Sequence, residues 1–212
     1  ISNDTAARLS TQRHWPNGAM PIREQGTIFL RSEDAIADTV RPRCEAAGAD
    51  LNHLHVFKMR TKVGKRKTFN LHDDLDTLGA AIEGAGDIGL IVVDAITSYM
   101  GKIDSHRTTD VRGVLEPLAE FAEAHHVAIF GITHPPKAAQ GNALRAFTGS
   151  FAFVAAPRMA FFVTSEPDTD RRLLLPVKNN IGPKARGVGY RIVTEIITNG
   201  IIAPRIMWSA EP

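Results

Sequence analysis

The sequence predicts an α/β protein whose mostly parallel central sheet is flanked by helices and followed by an antiparallel C-terminal extension. Three observations carry this. Thr27–Leu30, Ile88–Val93 and Val127–Thr133 are nearly continuous apolar, β-branched runs, the pattern of parallel strands covered on both faces. Segments of helical period separate them, as parallel crossovers require. Beyond residue 156, strand-like runs follow one another closely, with Ser165–Asp170 reading as a hairpin turn.

The elements follow in order. Asp4–Ser10 reads as the body of a helix, and Trp15-Pro16-Asn17-Gly18 as a turn. Thr27–Leu30 is the first strand, Ala35–Ala47 a helix closed by Gly48, and Leu54–Met59 a second strand. A basic loop then leads to the acidic helix Asp73–Glu83, and Ile88–Val93 is the most clearly marked strand. Arg107–His126 carries Val111, Val114, Leu115, Leu118 and Phe121 at helical spacing, with Asp104 or Ser105 as the expected cap. Val127–Thr133 is the next strand, and Pro135–Phe147, with two prolines and Gly141-Asn142, reads as an irregular loop at its end. Phe151–Ala156 is a short helix, followed by strands near Met159–Thr164, Arg171–Lys178 and Gly189–Thr194.

At 212 residues the chain suits one domain over 1–212, and its 43% hydrophobic and 23% charged residues are those of a globular protein. No apolar stretch approaches the roughly 20 residues that span a bilayer. The lone Cys44 can form no internal disulfide, and a cytoplasmic location is expected. The net charge of +2 is too mild to establish nucleic-acid binding, so that expectation rests on a local cluster. Lys58, Arg60, Lys62, Lys65, Arg66 and Lys67 crowd a stretch around Gly64 that reads either as a solvated loop between elements or as a face for phosphate backbones; on the second reading Lys62, Lys65, Lys67 and, further on, Arg145 are the expected phosphate contacts.

In open α/β sheets ligands gather beyond the carboxyl ends of the strands, and here those ends carry reactive groups. Asp94 closes Leu90-Ile91-Val92-Val93 and is suited to hold Mg²⁺ through water, because that ion keeps most of its hydration shell and takes few carboxylates. Glu33 and Asp34 follow the first strand; Glu33 is the expected base for an attacking water, and Asp34 caps the next helix beside the nucleotide. His134 ends a third strand, where an imidazole can hydrogen-bond a γ-phosphate, and Lys137 can reach the same phosphate or a nucleic-acid backbone. No HExxH, Cys-x-x-Cys or Gly-x-Ser-x-Gly is present, which leaves zinc hydrolase and serine esterase chemistry without an anchor. Gly182-Pro183-Lys184-Ala185-Arg186-Gly187 lacks the Gly-Lys-Ser/Thr ending of a phosphate loop.

The succession Ser32-Glu33-Asp34, Ile91-Val92-Val93-Asp94, Thr133-His134-Pro135-Pro136-Lys137, Thr148-Gly149-Ser150 and Pro176-Val177-Lys178-Asn179-Asn180 resembles the RecA-like P-loop ATPases, and within them the RepA-type hexameric helicases and related phage and plasmid ATPases. The resemblance implies a Mg²⁺-dependent ATPase that assembles as a homo-oligomer, a hexameric ring with ATP sites between subunits, acting on single-stranded DNA. It makes Glu33 the catalytic carboxylate, Asp94 the Walker B residue and His134 the γ-phosphate sensor, and it puts Ser150 with the nucleotide. Arg158 falls where RepA-type proteins place an arginine finger, and Lys178 matches a lysine that reaches a neighbouring subunit's nucleotide. Where DnaB-like helicases have an arginine two residues after that lysine, this chain has Asn180, which leaves the finger to Arg158. The Gly-x-x-x-x-Gly-Lys-Ser/Thr loop of the family would precede the opening helix, and on this reading the chain begins after it. A RecA-like regulatory ATPase without DNA binding, or a binding module lacking catalysis, are the alternatives.

Overall fold

The computed structural model describes residues 1–32, 34–58, 68–105, 107–134, 151–183 and 186–209. These fall into two compact units, one of residues 25–34 and 52–156, the other of 1–24, 35–51 and 157–212.

The first of these units is built on a parallel sheet in the order β2-β1-β3-β4, with β1 Gly26–Arg31, β2 Leu54–Val56, β3 Ile88–Asp94 and β4 Ala128–Ile132. Strands β1 and β3 are inner strands, and their residues Ile28, Phe29, Leu30, Ile91, Val92 and Val93 are at most 2% exposed. Alternate residues point to opposite faces, so burial of every one requires the unbroken apolar runs seen in the sequence. At the sheet's edge β4 is more open, with Ala128 and Gly131 exposed.

Helices α3 (Leu75–Ala85) and α4 (Thr108–Ala124) supply one side of the core. Leu78 and Ile82 of α3, with Val111, Val114, Leu118 and Phe121 of α4, join Ile28, Leu30, Ile91 and Val93 in one apolar cluster, while Leu115 packs at its margin. The expected spacing on α4 is therefore its core-facing stripe. Pro117 sits inside α4 but on its solvent side, as does Gly113 four residues before it, so the carbonyl deprived of a helical donor lies where water can reach it. The helix begins at Thr108 with Arg107 as its N-cap, not at Asp104 or Ser105: Asp104 uses its backbone carbonyl to accept from Arg107 N at 3.0 Å, a turn that precedes the helix. A short helix, α5 (Ala152–Ala155), buries Ala152 and Phe153 in the same core.

The other unit holds α1 (Ser2–Ser10), a π-helical turn (Ile36–Val40) leading into α2 (Arg41–Ala46), and an antiparallel sheet in the order β5-β6-β7-β8. Its strands are β5 Met159–Ser165, β6 Arg172–Asn179, β7 Val188–Ile196 and β8 Ile202–Trp208. The expected single helix over 35–47 is thus two segments. Pro42, which has no N–H to give, lies in the first turn of α2, where helical donors have no partner anyway. Gly48 closes α2 with φ of +74°.

Strand β8 was not expected from the sequence. It is an edge strand, which is why it tolerates Pro204 opposite Thr194. Pro176 lies within an inner strand, but beyond the β6–β7 ladder and beside an irregularity in the β5–β6 register, so its missing N–H breaks no regular pairing. Trp208 closes the sheet's end against α1: its indole Nε1 donates to Asp4 Oδ2 at 2.7 Å, the same oxygen that Arg8 Nε meets at 2.8 Å. The Trp208 ring also packs on Tyr190 at 5.4 Å between centroids. Burial pushes the Tyr190 phenol above its ordinary value, with Arg172 acting the other way.

Candidate active site

The parallel register brings three strand ends level. Arg31, the last residue of β1, pairs with Asp94, the last of β3, and Asp94 pairs with Ile132, the last of β4. Ser32 N extends the pairing by donating to the Asp94 carbonyl at 3.2 Å. The Asp94–Ala95 peptide is cis. His134 stands two residues beyond β4.

Among the described residues, four side chains converge on this edge. Arg31 Nη1 donates to Asp34 Oδ2 at 3.0 Å and lies 3.6 Å from Asp94 Oδ2. The other oxygen of Asp94, Oδ1, is 3.8 Å from His134 Nε2, a contact that becomes an ion pair when the imidazole is protonated. Exposure grades outward: the Arg31 side chain is 3% exposed, Asp94 22%, Asp34 33% and His134 64%. The Arg31 guanidinium also lies over the Phe29 ring at 5.0 Å, a platform supplied by the residue two before it on the same strand face.

This cluster contains one fixed cation and two carboxylates. Among the described residues no group of three His, Cys, Asp or Glu side chains is arranged to hold a metal. Of the described residues, Asp94 and Asp34 are the carboxylates a cation here would draw on. That donor set suits Mg²⁺, which retains water and shares its shell with phosphate oxygens, better than ions that need a cage of protein ligands.

Of the residues expected from the sequence, Asp34, Asp94 and His134 are brought together. Asp34 does not cap the next helical segment, whose N-cap is Ala35; it faces back to Arg31 instead. Glu33, Lys137 and Ser150 lie outside the described residues, as do Lys62, Lys65, Lys67 and Arg145. Arg158 and Lys178 belong to the other unit, where they meet at one end of the β5–β6 hairpin: Lys178 is opposite Ala160, and the Arg158 carbonyl accepts from Asn180 N at 3.0 Å. Arg158 is exposed and Lys178 half-buried. Arg31 was not expected at the site from the sequence. Its signal was an arginine ending an apolar strand just before Glu33 and Asp34, because a buried guanidinium needs carboxylates within reach.

Among the described residues no helix is long and apolar enough to cross a membrane. Comparison with curated proteins gives no match. Among solved structures the fold is similar to that of the RadB recombinase, with a TM-score of 0.53 and 13% identity over 85% of this chain and 78% of that one. At that identity the likeness is one of fold, and it identifies the two sheets and their helices as RecA-like. The family model of the AAA domain matches residues 1–140, and the chain therefore belongs to the AAA domain family.

Proposed function

We propose that the protein is a Mg²⁺-dependent ATPase that works as an oligomeric motor or remodelling factor on nucleic acid, of the RepA-like helicase type. The observation that carries the hydrolytic reading is the level ending of β1, β3 and β4, which gathers Arg31, Asp34, Asp94 and His134 at one sheet edge. Asp94 would hold Mg²⁺ through water; when bound, the ion neutralises charge on the β- and γ-phosphate oxygens. Glu33, adjacent to Asp34, takes the proton of the attacking water, and His134 hydrogen-bonds the γ-phosphate. Asp34, Lys137 and Ser150 complete the nucleotide's surroundings.

Arg158 and Lys178 act on a neighbouring subunit's nucleotide, a role supported by their sharing one end of a hairpin with Arg158 exposed. The resemblance to ring-forming helicases favours a hexamer bound to single-stranded DNA, through Lys62, Lys65, Lys67 and Arg145. That the fold is shared with a recombinase is in keeping with this. The test is ATP turnover by the whole protein with and without single-stranded DNA, together with Glu33→Gln. The variant should bind ATP while losing turnover by about 10²–10⁴-fold, the usual range for loss of a general base. Wild-type turnover in Glu33→Gln would remove Glu33 from the mechanism, and DNA-independent turnover without DNA affinity would favour a regulatory ATPase.

A further inference from the structure

We propose that Arg31 is a positioning residue that keeps Asp34 and Asp94 from closing on a bare divalent cation, reserving Asp94 for metal that arrives with nucleotide. The proposal rests on the nucleotide-site reading above and deepens it.

The geometry begins with register. Arg31 and Asp94 are direct partners across parallel strands, so their side chains leave the sheet on the same face about 4.8 Å apart. Arg31 is 3% exposed and lies against the Phe29 ring, which limits its retreat into solvent. Between these two carboxylates its guanidinium is committed unequally. The contact to Asp34 is a hydrogen bond at 3.0 Å, whereas 3.6 Å to Asp94 is beyond hydrogen-bond length. Asp34 thus anchors the cation, and Asp94 feels its charge without surrendering its oxygens.

Two partly exposed carboxylates at one strand edge would otherwise attract a divalent ion to both. A guanidinium between them opposes that ion and leaves Asp94 to bind through water. A metal–nucleotide complex carries net negative charge, so the same guanidinium attracts it. Arg31 in this way discriminates between free metal and metal bound to phosphate, by charge and without contacting the reacting atoms.

Mn²⁺ titrated into the chain without nucleotide, with free ion followed by electron paramagnetic resonance, tests this. Arg31→Met, which keeps length but removes charge, should bind Mn²⁺ about 10-fold more tightly than wild type, a size in keeping with a unit charge a few ångströms from a divalent ion at a partly exposed site. Arg31→Lys should stay near wild type. The Michaelis constant for Mg-ATP should rise in Arg31→Met and recover in Arg31→Lys. Should Arg31→Met fail to fold by circular dichroism, Asp34→Asn serves, since its change lies in the partly exposed anchor: freed from it, Arg31 can close on Asp94, and Mn²⁺ should bind more weakly. An Arg31→Met affinity no tighter than wild type, an Arg31→Lys affinity as tight as Arg31→Met, or an unchanged Asp34→Asn affinity each overturns the proposal. Asp94→Asn separates it from the underlying reading. If Asp94→Asn binds Mn²⁺ as wild type does, Asp94 is not the metal residue and the site itself is wrongly read; if Asp94→Asn loses the ion and Arg31→Met does not tighten it, only the role of Arg31 fails.

Discussion

Arg31 and Asp94 end neighbouring parallel strands as register partners, with 3.6 Å between Nη1 of the one and Oδ2 of the other. The pairing makes a buried cation part of a site whose other members are carboxylates and an imidazole. It ties the placement of Asp94 to two inner strands whose apolar side chains are almost wholly buried, a regular support that holds a site more closely than a loop does.

If the basic stretch contacts nucleic acid, neutralising Lys62, Lys65 and Lys67 together should weaken binding to a similar degree for unrelated sequences. It should also reduce the slope of log affinity against log salt by about 2, because each phosphate contact to a single strand releases roughly 0.7 of a counterion. Fluorescence anisotropy across a salt series measures both, and an unchanged slope would return those lysines to the solvated surface.

Action of Arg158 in trans predicts a specific pattern in mixed oligomers. Arg158→Ala and Glu33→Gln subunits, each inactive alone, should regain ATPase activity when combined, since a site formed by an intact Glu33 and a neighbour's intact Arg158 arises only in the mixture. An arginine at the transferring phosphoryl group contributes about 10³–10⁵ in rate, which makes the recovered signal easy to see. No recovery at any mixing ratio, with exchange of subunits demonstrated by light scattering of labelled species, would place Arg158 outside the site.

Tyr190 sets a pH limit on stability. Its phenol is raised by burial, so the folded state holds the proton more tightly than the unfolded chain. Its stabilisation is complete below the unfolded tyrosine's pKa of about 10 and is lost as pH rises from there through the higher folded value. Urea unfolding at pH 8 through 11 should show a decline in wild type that is shallower in Tyr190→Phe. Equal slopes in the two proteins would mean that Tyr190 does not govern the alkaline limit.

Much of this architecture can be read from the chain because burial leaves its own pattern. Ile88–Val93 is apolar throughout since β3 is covered on both faces, and α4 shows helical spacing since only one of its sides meets the core. Asp94 stands out because a charge ends an apolar run. The parts that escaped reading depend on partners distant in sequence. Arg31 looks like an ordinary strand charge until Asp94 is brought opposite it, and its hydrogen bond to Asp34 turns that carboxylate away from the cap that its position suggested. Strand β8 carries a proline and lies at an edge, so its pairing with β7 is decided by the Ile197–Ile201 turn, where Ile197 N meets Ile201 O at 2.8 Å, more than by its own composition.

Steady-state ATP hydrolysis by the whole protein and its Asp94→Asn variant across a Mg²⁺ titration bears directly on a nucleotide site at this sheet edge. A nucleotide site at the shared ends of β1, β3 and β4 predicts saturable, Mg²⁺-dependent turnover in wild type. In Asp94→Asn, turnover should fall on the order of 100-fold or more, comparable to the loss of other groups that stabilise transition-state charge, with the Mg²⁺ requirement displaced to higher concentration. Hydrolysis that is indifferent to the Asp94 carboxylate, or its absence from the folded wild-type protein with Mg²⁺ and ATP in excess, would mean that these strand ends form no Mg²⁺–nucleotide site.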